Sequence, residues 1–128
     1  MLKPFTNYQI EMQASVASGI AAQLLCYNNT RFVGRIDFHI NETLPKSYLW
    51  HPTGTTDPDS IYIVLIMPID RLQTVIDVVR NEAPLALEIW PLGPLFGAAT
   101  DGYGGVLRST ANEPVGEGER AALRAARP

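Results

Sequence analysis

The run Ile61-Tyr62-Ile63-Val64-Leu65-Ile66-Met67 constrains this chain more than any other stretch. Seven consecutive apolar or aromatic residues, rich in β-branched types, read as a strand covered on both faces. A helix is expected directly after it. Leu72, Ile76 and Val79 fall on one face at helical spacing, with Val75 and Val78 beside them. Asp70 reads as the N-cap and Gln73, three residues on, completes a capping box. Arg80 suits the negative end of the helix dipole, and Pro84 prevents continuation.

The residues before this unit alternate with the period of strands. Tyr8, Ile10, Met12 and Ala14 form one face of a first strand, and Ile20, Ala22, Leu24 and Cys26 one face of a second. Phe32, Gly34, Ile36, Phe38 and Ile40 do the same for a third. Residues opposed in a hairpin must share a face, which decides the turn between the second and third strands. A loop of residues 28–30 opposes Cys26 to Phe32, Leu24 to Gly34, Ala22 to Ile36 and Ile20 to Phe38, and every pair agrees. An odd loop or a bulge is therefore expected. The outward row is Gln23, Arg35, Asp37 and His39.

Residues 41–60 change character to proline, threonine, glycine and aspartate around Tyr48, Leu49 and Trp50. Such a connection reads as a flap over one sheet face, or as a crossover whose aromatics plug the core. After the helix, Leu85, Leu87 and Ile89 mark a strand that stops near Pro91. Asp101-Gly102 signals a last hairpin opposing Phe96 to Leu107 and Thr100 to Tyr103. The expected fold is α+β, an antiparallel sheet of about six strands in the order β-β-β-β-α-β-β with one helix packed on it. The alternative is a small β-sandwich or roll capped by the helix.

With 128 residues the chain forms one core and needs neither disulfide nor metal. The domain is expected to span 1–112. Residues 113–128 are a Gly/Glu/Arg/Ala-rich tail, read as mobile, whose large aliphatic residues are only Val115 and Leu123. A net charge of -3 with scattered signs gives no footprint for a phosphate backbone, so nucleic acid is not an expected partner. No apolar stretch approaches a membrane span, and Met1 to Tyr8 lacks a signal-peptide core. Together with a single cysteine, Cys26, this reads as a cytoplasmic protein.

Arg35, Asp37 and His39 are the candidates for catalysis, a histidine base with an orienting carboxylate on one face at roughly 6 to 7 Å spacing. Charged residues are also what a wet sheet face ordinarily carries. Cys26, His39, His51, Asp57 and Asp59 lack metal-ligand spacing, so neither metal nor cofactor is expected, and Asp57-Pro58-Asp59 reads as a turn. Gly102-Tyr103-Gly104-Gly105 reads as a turn rather than a phosphate cradle, because Val106-Leu107-Arg108 continues as strand. Tyr48, Trp50, Trp90 and Tyr103 are the candidate ligand or partner surface.

The segment around Arg80-Asn81-Glu82, and the segment Glu113 to Glu119, resemble segments of small uncharacterised bacterial proteins. The resemblance implies a domain ending near Glu119 and carries no activity. The function expected from the residues is a non-enzymatic binding or protein-interaction module, with a protein partner or self-association, a homodimer among the forms. The alternative is a small-molecule binder or small enzyme with a pocket under the 41–60 loop.

Overall fold

The computed structural model describes residues 1–14, 18–52, 57–92 and 102–109. It is α+β, with one α-helix and two sheets. In chain order the strands are β1 (Leu2–Phe5), β2 (Asn7–Met12), β3 (Ile20–Asn28), β4 (Arg31–His39), β5 (Tyr48–Trp50), β6 (Tyr62–Pro68), β7 (Leu85–Pro91) and β8 (Tyr103–Ser109). The helix α1 (Leu72–Asn81) stands between β6 and β7. The single sheet of six strands is therefore corrected to a three-stranded sheet, β1-β7-β8, and a five-stranded sheet, β2-β3-β4-β6-β5. Six strands, not four, precede the helix. The extra ones are short: β1 has four residues and β5 three, too few for alternation to register.

All pairings are antiparallel except β4 with β6, which run parallel. The chain leaves β4, turns back as the edge strand β5, and returns as β6 in the slot between them. That slot accounts for the apolar run. Ile63 and Leu65 point into the core while Val64, on the other face, is also buried. The Oγ of Ser47 accepts a hydrogen bond from the Ile66 N–H at 2.9 Å, extending the pairing beyond the end of β5.

The hairpin β3–β4 resolves the parity problem with a bulge. Asn28 opposes Arg31 and Tyr27 opposes Phe32, leaving Asn29 and Thr30 as a two-residue turn with Asn29 at φ +57°. Register then shifts at Val33, so that Cys26 opposes Gly34, Leu24 opposes Ile36 and Ala22 opposes Phe38. Phe32 is thus on the opposite face from the one its spacing suggested, and Val33 takes its place in the core.

Pro68 delivers the chain into a single 3-10 turn, Ile69–Arg71, before α1 begins. Asp70 falls inside that turn, so the expected capping box does not form and Arg71 occupies the N-cap without a side-chain bond. Gln73 instead donates to the Asp77 carboxylate at 3.0 Å, one turn along the exposed face. Val75 and Val79 are the buried residues of the helix, with Ile76 only half-buried. The helix ends at Asn81 as Pro84 requires.

The strand Tyr103–Ser109, the second arm of the expected Asp101-Gly102 hairpin, pairs with β7: Leu107 opposes Leu87 and Tyr103 opposes Pro91. Residues 93–101, the rest of that expected hairpin, lie outside the described residues, as does the tail 113–128. Leu85, Leu87 and Ile89 join Leu24, Ile36, Phe38, Ile63 and Leu65 in one core that also takes in Val75 and Val79. Two glycines set how closely the sheets approach. A Cβ on Gly34 would stand 2.9 Å from Leu87 Cδ1 and collide with the Ile63 carbonyl oxygen, and one on Gly105 would collide with Leu65 Cδ2. Each sheet thus offers a gap that a leucine of the other fills. The two gaps differ in what surrounds them. Gly34→Ala is expected to cost about 2 to 3 kcal/mol, because backbone cannot swing aside, and Gly105→Ala about 1 kcal/mol, because the end of Leu65 can. Urea unfolding midpoints of the two variants check that order.

Candidate functional site

The five-stranded sheet has a core face and an opposite face, and the candidate residues gather on the latter. Arg35, Asp37 and His39 alternate along β4, the central strand, out of phase with the core residues Ile36 and Phe38. The expectation of a wet row is corrected here. Asp37 is 2% exposed and His39 5%. The Asp37 Oδ1 accepts hydrogen bonds from Gln23 Nε2 and Arg35 Nε, each at 2.9 Å. Gln23 stands directly opposite Asp37 on β3, so the amide and guanidinium converge on the carboxylate from two sides. A buried carboxylate held by a guanidinium N–H and an amide N–H is oriented toward its own strand neighbours.

His39 takes no part in that set. Its Nδ1 is buried with no hydrogen-bond partner among the described residues, and it lies one strand repeat beyond Asp37. The arrangement therefore lacks the contact that a carboxylate makes when it orients a catalytic imidazole. Arg35 continues outward instead, its Nη2 donating to the Tyr48 hydroxyl at 3.1 Å. A chain of polar contacts thus runs Gln23–Asp37–Arg35–Tyr48 across β3, β4 and β5.

Beside it runs an apolar row. Tyr27, Phe32, Tyr62 and Trp50 stand on adjacent strands β3, β4, β6 and β5, with successive ring centroids 5.6, 4.9 and 5.2 Å apart. The first two contacts are edge-on and the third, Tyr62 with Trp50, is stacked at 23°. Such pairs add to simple area burial. The row ends at Trp50, which is 49% exposed on the sheet edge. Trp50 and Tyr48 therefore do not plug the core; Leu49, between them, packs inward. The 41–60 connection contributes a strand rather than a flap, and its 3-10 turn, Pro58–Ser60, is anchored from outside. Lys3 Nζ donates to the Pro58 carbonyl at 2.7 Å and Arg31 Nη2 to that of Asp59 at 3.0 Å.

The other two aromatics go elsewhere. Trp90, 42% exposed, is on β7 in the second sheet and lies over Gly104, where a Cβ would stand 2.7 Å from its Nε1. Tyr103 packs against the margin of the core, and its backbone bridges to Ser47. Thus only Tyr48 and Trp50 of the expected four share a surface. Tyr27, Phe32 and Tyr62 escaped sequence reasoning; the bulge option, placing Phe32 opposite Tyr27, was the signal that would have found them.

Among the described residues no group of three His, Cys, Asp or Glu side chains converges as a metal site. His51 is exposed, and Asp57 accepts from the Asp59 N–H as the cap of its 3-10 turn. No described helix is long and apolar enough to cross a membrane. Comparison with known proteins finds no matching family model, no matching curated protein and no matching solved structure.

Cys26 is fully buried, on the core face and away from His39. Burial pushes its thiol from 9.0 up to about 12. Above pH 9 the unfolded chain loses this proton while the native one keeps it, so stability falls as pH rises toward 12. Between pH 8 and pH 10, of which only the upper unit lies in that window, wild type should lose about 1.4 kcal/mol more than Cys26→Ala, read from denaturant unfolding at the two pH values.

Proposed function

We propose that this protein is a non-enzymatic binding module that holds a protein partner on the open face of its five-stranded sheet. The observation that carries the reading is the aromatic row ending at half-exposed Trp50, flanked by the Arg35–Tyr48 contact. A large rigid ring at the rim of an apolar row supplies contact area at little entropic cost, and an adjacent guanidinium and phenol supply directional bonds. Tyr48 and Trp50 sit on a three-residue edge strand that contributes only Leu49 to the core, so the contact surface is separable from the fold. Trp50→Ala is expected to weaken partner binding about tenfold or more while leaving the far-UV circular dichroism and the urea midpoint close to wild type. A variant that unfolds, or one that binds a purified partner as wild type does, would remove Trp50 from this role.

The unpartnered Nδ1 of buried His39 favours a second reading, a small-molecule binder or small enzyme using Arg35, Asp37 and His39. Against it stands the closed set of contacts around Asp37, which leaves no carboxylate to orient the imidazole. Native mass spectrometry of protein purified without chelator separates the two. A reproducible small-molecule adduct on the wild type that disappears in His39→Gln would install the second reading; a bare mass sustains the first.

A further inference from the structure

A pocket of about 380 Å³ opens where the edge strand β2 meets the β3–β4 turn, lined by Asn7, Tyr8, Gln9, Tyr27, Asn29 and Thr30. It lies at the other end of the aromatic row from Trp50. Asn7 stands opposite Tyr27 and Gln9 opposite Leu25, so these two carboxamides share the open face with the Tyr27 ring. Phe32 contacts that ring edge-on, with centroids 5.6 Å apart. Toward β2 the cross-strand neighbour is only the short Asn7, which gives the pocket an aromatic wall. The lining carries no Lys, Arg, His, Asp or Glu. It consists of three carboxamides and three hydroxyls, types that each donate and accept. Among the described residues the side-chain amides of Gln9 and Asn29 and the hydroxyls of Tyr8, Tyr27 and Thr30 have no hydrogen-bond partner in the chain. Asn7 is held in place. Asn29 N–H donates to Thr6 Oγ1 at 2.8 Å, and Thr6 Oγ1 donates in turn to Asn7 Oδ1, which leaves Asn7 Nδ2 to donate into the pocket. Thr6 N–H is bonded to the Tyr27 carbonyl at 2.8 Å, so the corner, the turn and the aromatic wall are tied together before any ligand enters.

We infer that this pocket binds a neutral hexopyranose sugar unit. A lining without charged side chains offers no counter-charge to a phosphate, a carboxylate or an ammonium group. A ring of neighbouring hydroxyls has the matching pattern, because each hydroxyl both gives and takes a bond, as the two ends of a carboxamide do together. The C–H groups on one face of such a ring are weakly electropositive, and they meet the electron-rich face of Tyr27. An extended peptide presents its donors and acceptors in a line, whereas these six side chains converge from a strand edge, the neighbouring strand and a turn. The site uses neither Trp50 nor Arg35, so it goes beyond the protein-partner reading and does not rest on it.

The test is NMR titration of the full-length protein with glucose, galactose, mannose and N-acetylglucosamine, each to about 50 mM, beside glycerol as a polyol without a ring. One of the sugars is expected to shift the side-chain amide signals of Gln9 and Asn29 and the ring signals of Tyr27, saturating with a Kd on the order of 1 mM. Glycerol should leave them in place. Gln9→Ala, at an exposed position, and Asn29→Gly, which suits the φ of +57°, should keep the fold and each weaken binding about fivefold. The methyl glycoside of the sugar that binds identifies its source: undiminished binding assigns the end unit of a longer saccharide, and loss of binding assigns the free sugar. Trp50→Ala should leave the titration unchanged, so that failure of the open-face reading and failure of the sugar site are told apart. No saturable shift with any of the four sugars would overturn the inference. So would shifts that glycerol reproduces, or Gln9→Ala and Asn29→Gly variants that bind as wild type does.

Discussion

Two leucines seated over two glycines hold the two sheets at the separation on which the rest depends. Leu87 of the three-stranded sheet occupies the space over Gly34, and Leu65 of the five-stranded sheet that over Gly105. Interiors are packed to the density of organic crystals, so a methyl group at either glycine has to be accommodated by movement. The contact is reciprocal, each sheet giving one knob and one gap, and both leucines lie in or beside the central strands of their sheets. Val75 and Val79 of α1 then close the remaining side of the same core.

With one face of the five-stranded sheet committed to that contact, the other is left to polar and aromatic residues. Burial there is achieved by neighbours on the sheet itself. Asp37 is shielded among Gln23 and Arg35, and Phe32 and Tyr62 shield each other within the ring row. The result is a surface whose residues are oriented by one another, which would lower the ordering cost in the binding role proposed above. The two ends of this surface differ: His39 is buried with a nitrogen unpaired, whereas Trp50 projects at the rim.

Much of the fold was legible because period and length agreed. The run 61–67, the helix after it, the alternation in β3 and β4, and the strand ending at Pro91 all carry patterns that only one element satisfies. The misses have identifiable causes. A stripe at 72, 75 and 79 obeys helical spacing as well as one at 72, 76 and 79, and packing chose the former. The bulge at Val33 moves Phe32 across the sheet, so three rings of the row, Tyr27, Phe32 and Tyr62, look like unrelated strand residues and only Trp50 like a loop aromatic. Asp101-Gly102 signals a hairpin with residues 96–100, which lie outside the described residues; the pairing of β8 with β7, across a longer span, carries no such local signal. The triad on β4 was placed on the correct face; its burial was not foreseeable, since it depends on Gln23 and Tyr48 reaching in from other strands.

The parallel pairing of β4 with β6 also divides the open face by the length of loop each half requires. β2, β3 and β4 are successive and antiparallel, so their contacts form between near neighbours in sequence. β6 reaches β4 only after the chain between residues 39 and 62 has closed into a loop, and among the described residues β5 has no sheet partner except β6. Closure of such a loop costs entropy before any strand contact offsets it. The half of the open face that holds Tyr62, Tyr48 and Trp50 therefore depends on closing a longer loop than the half built from β2, β3 and β4.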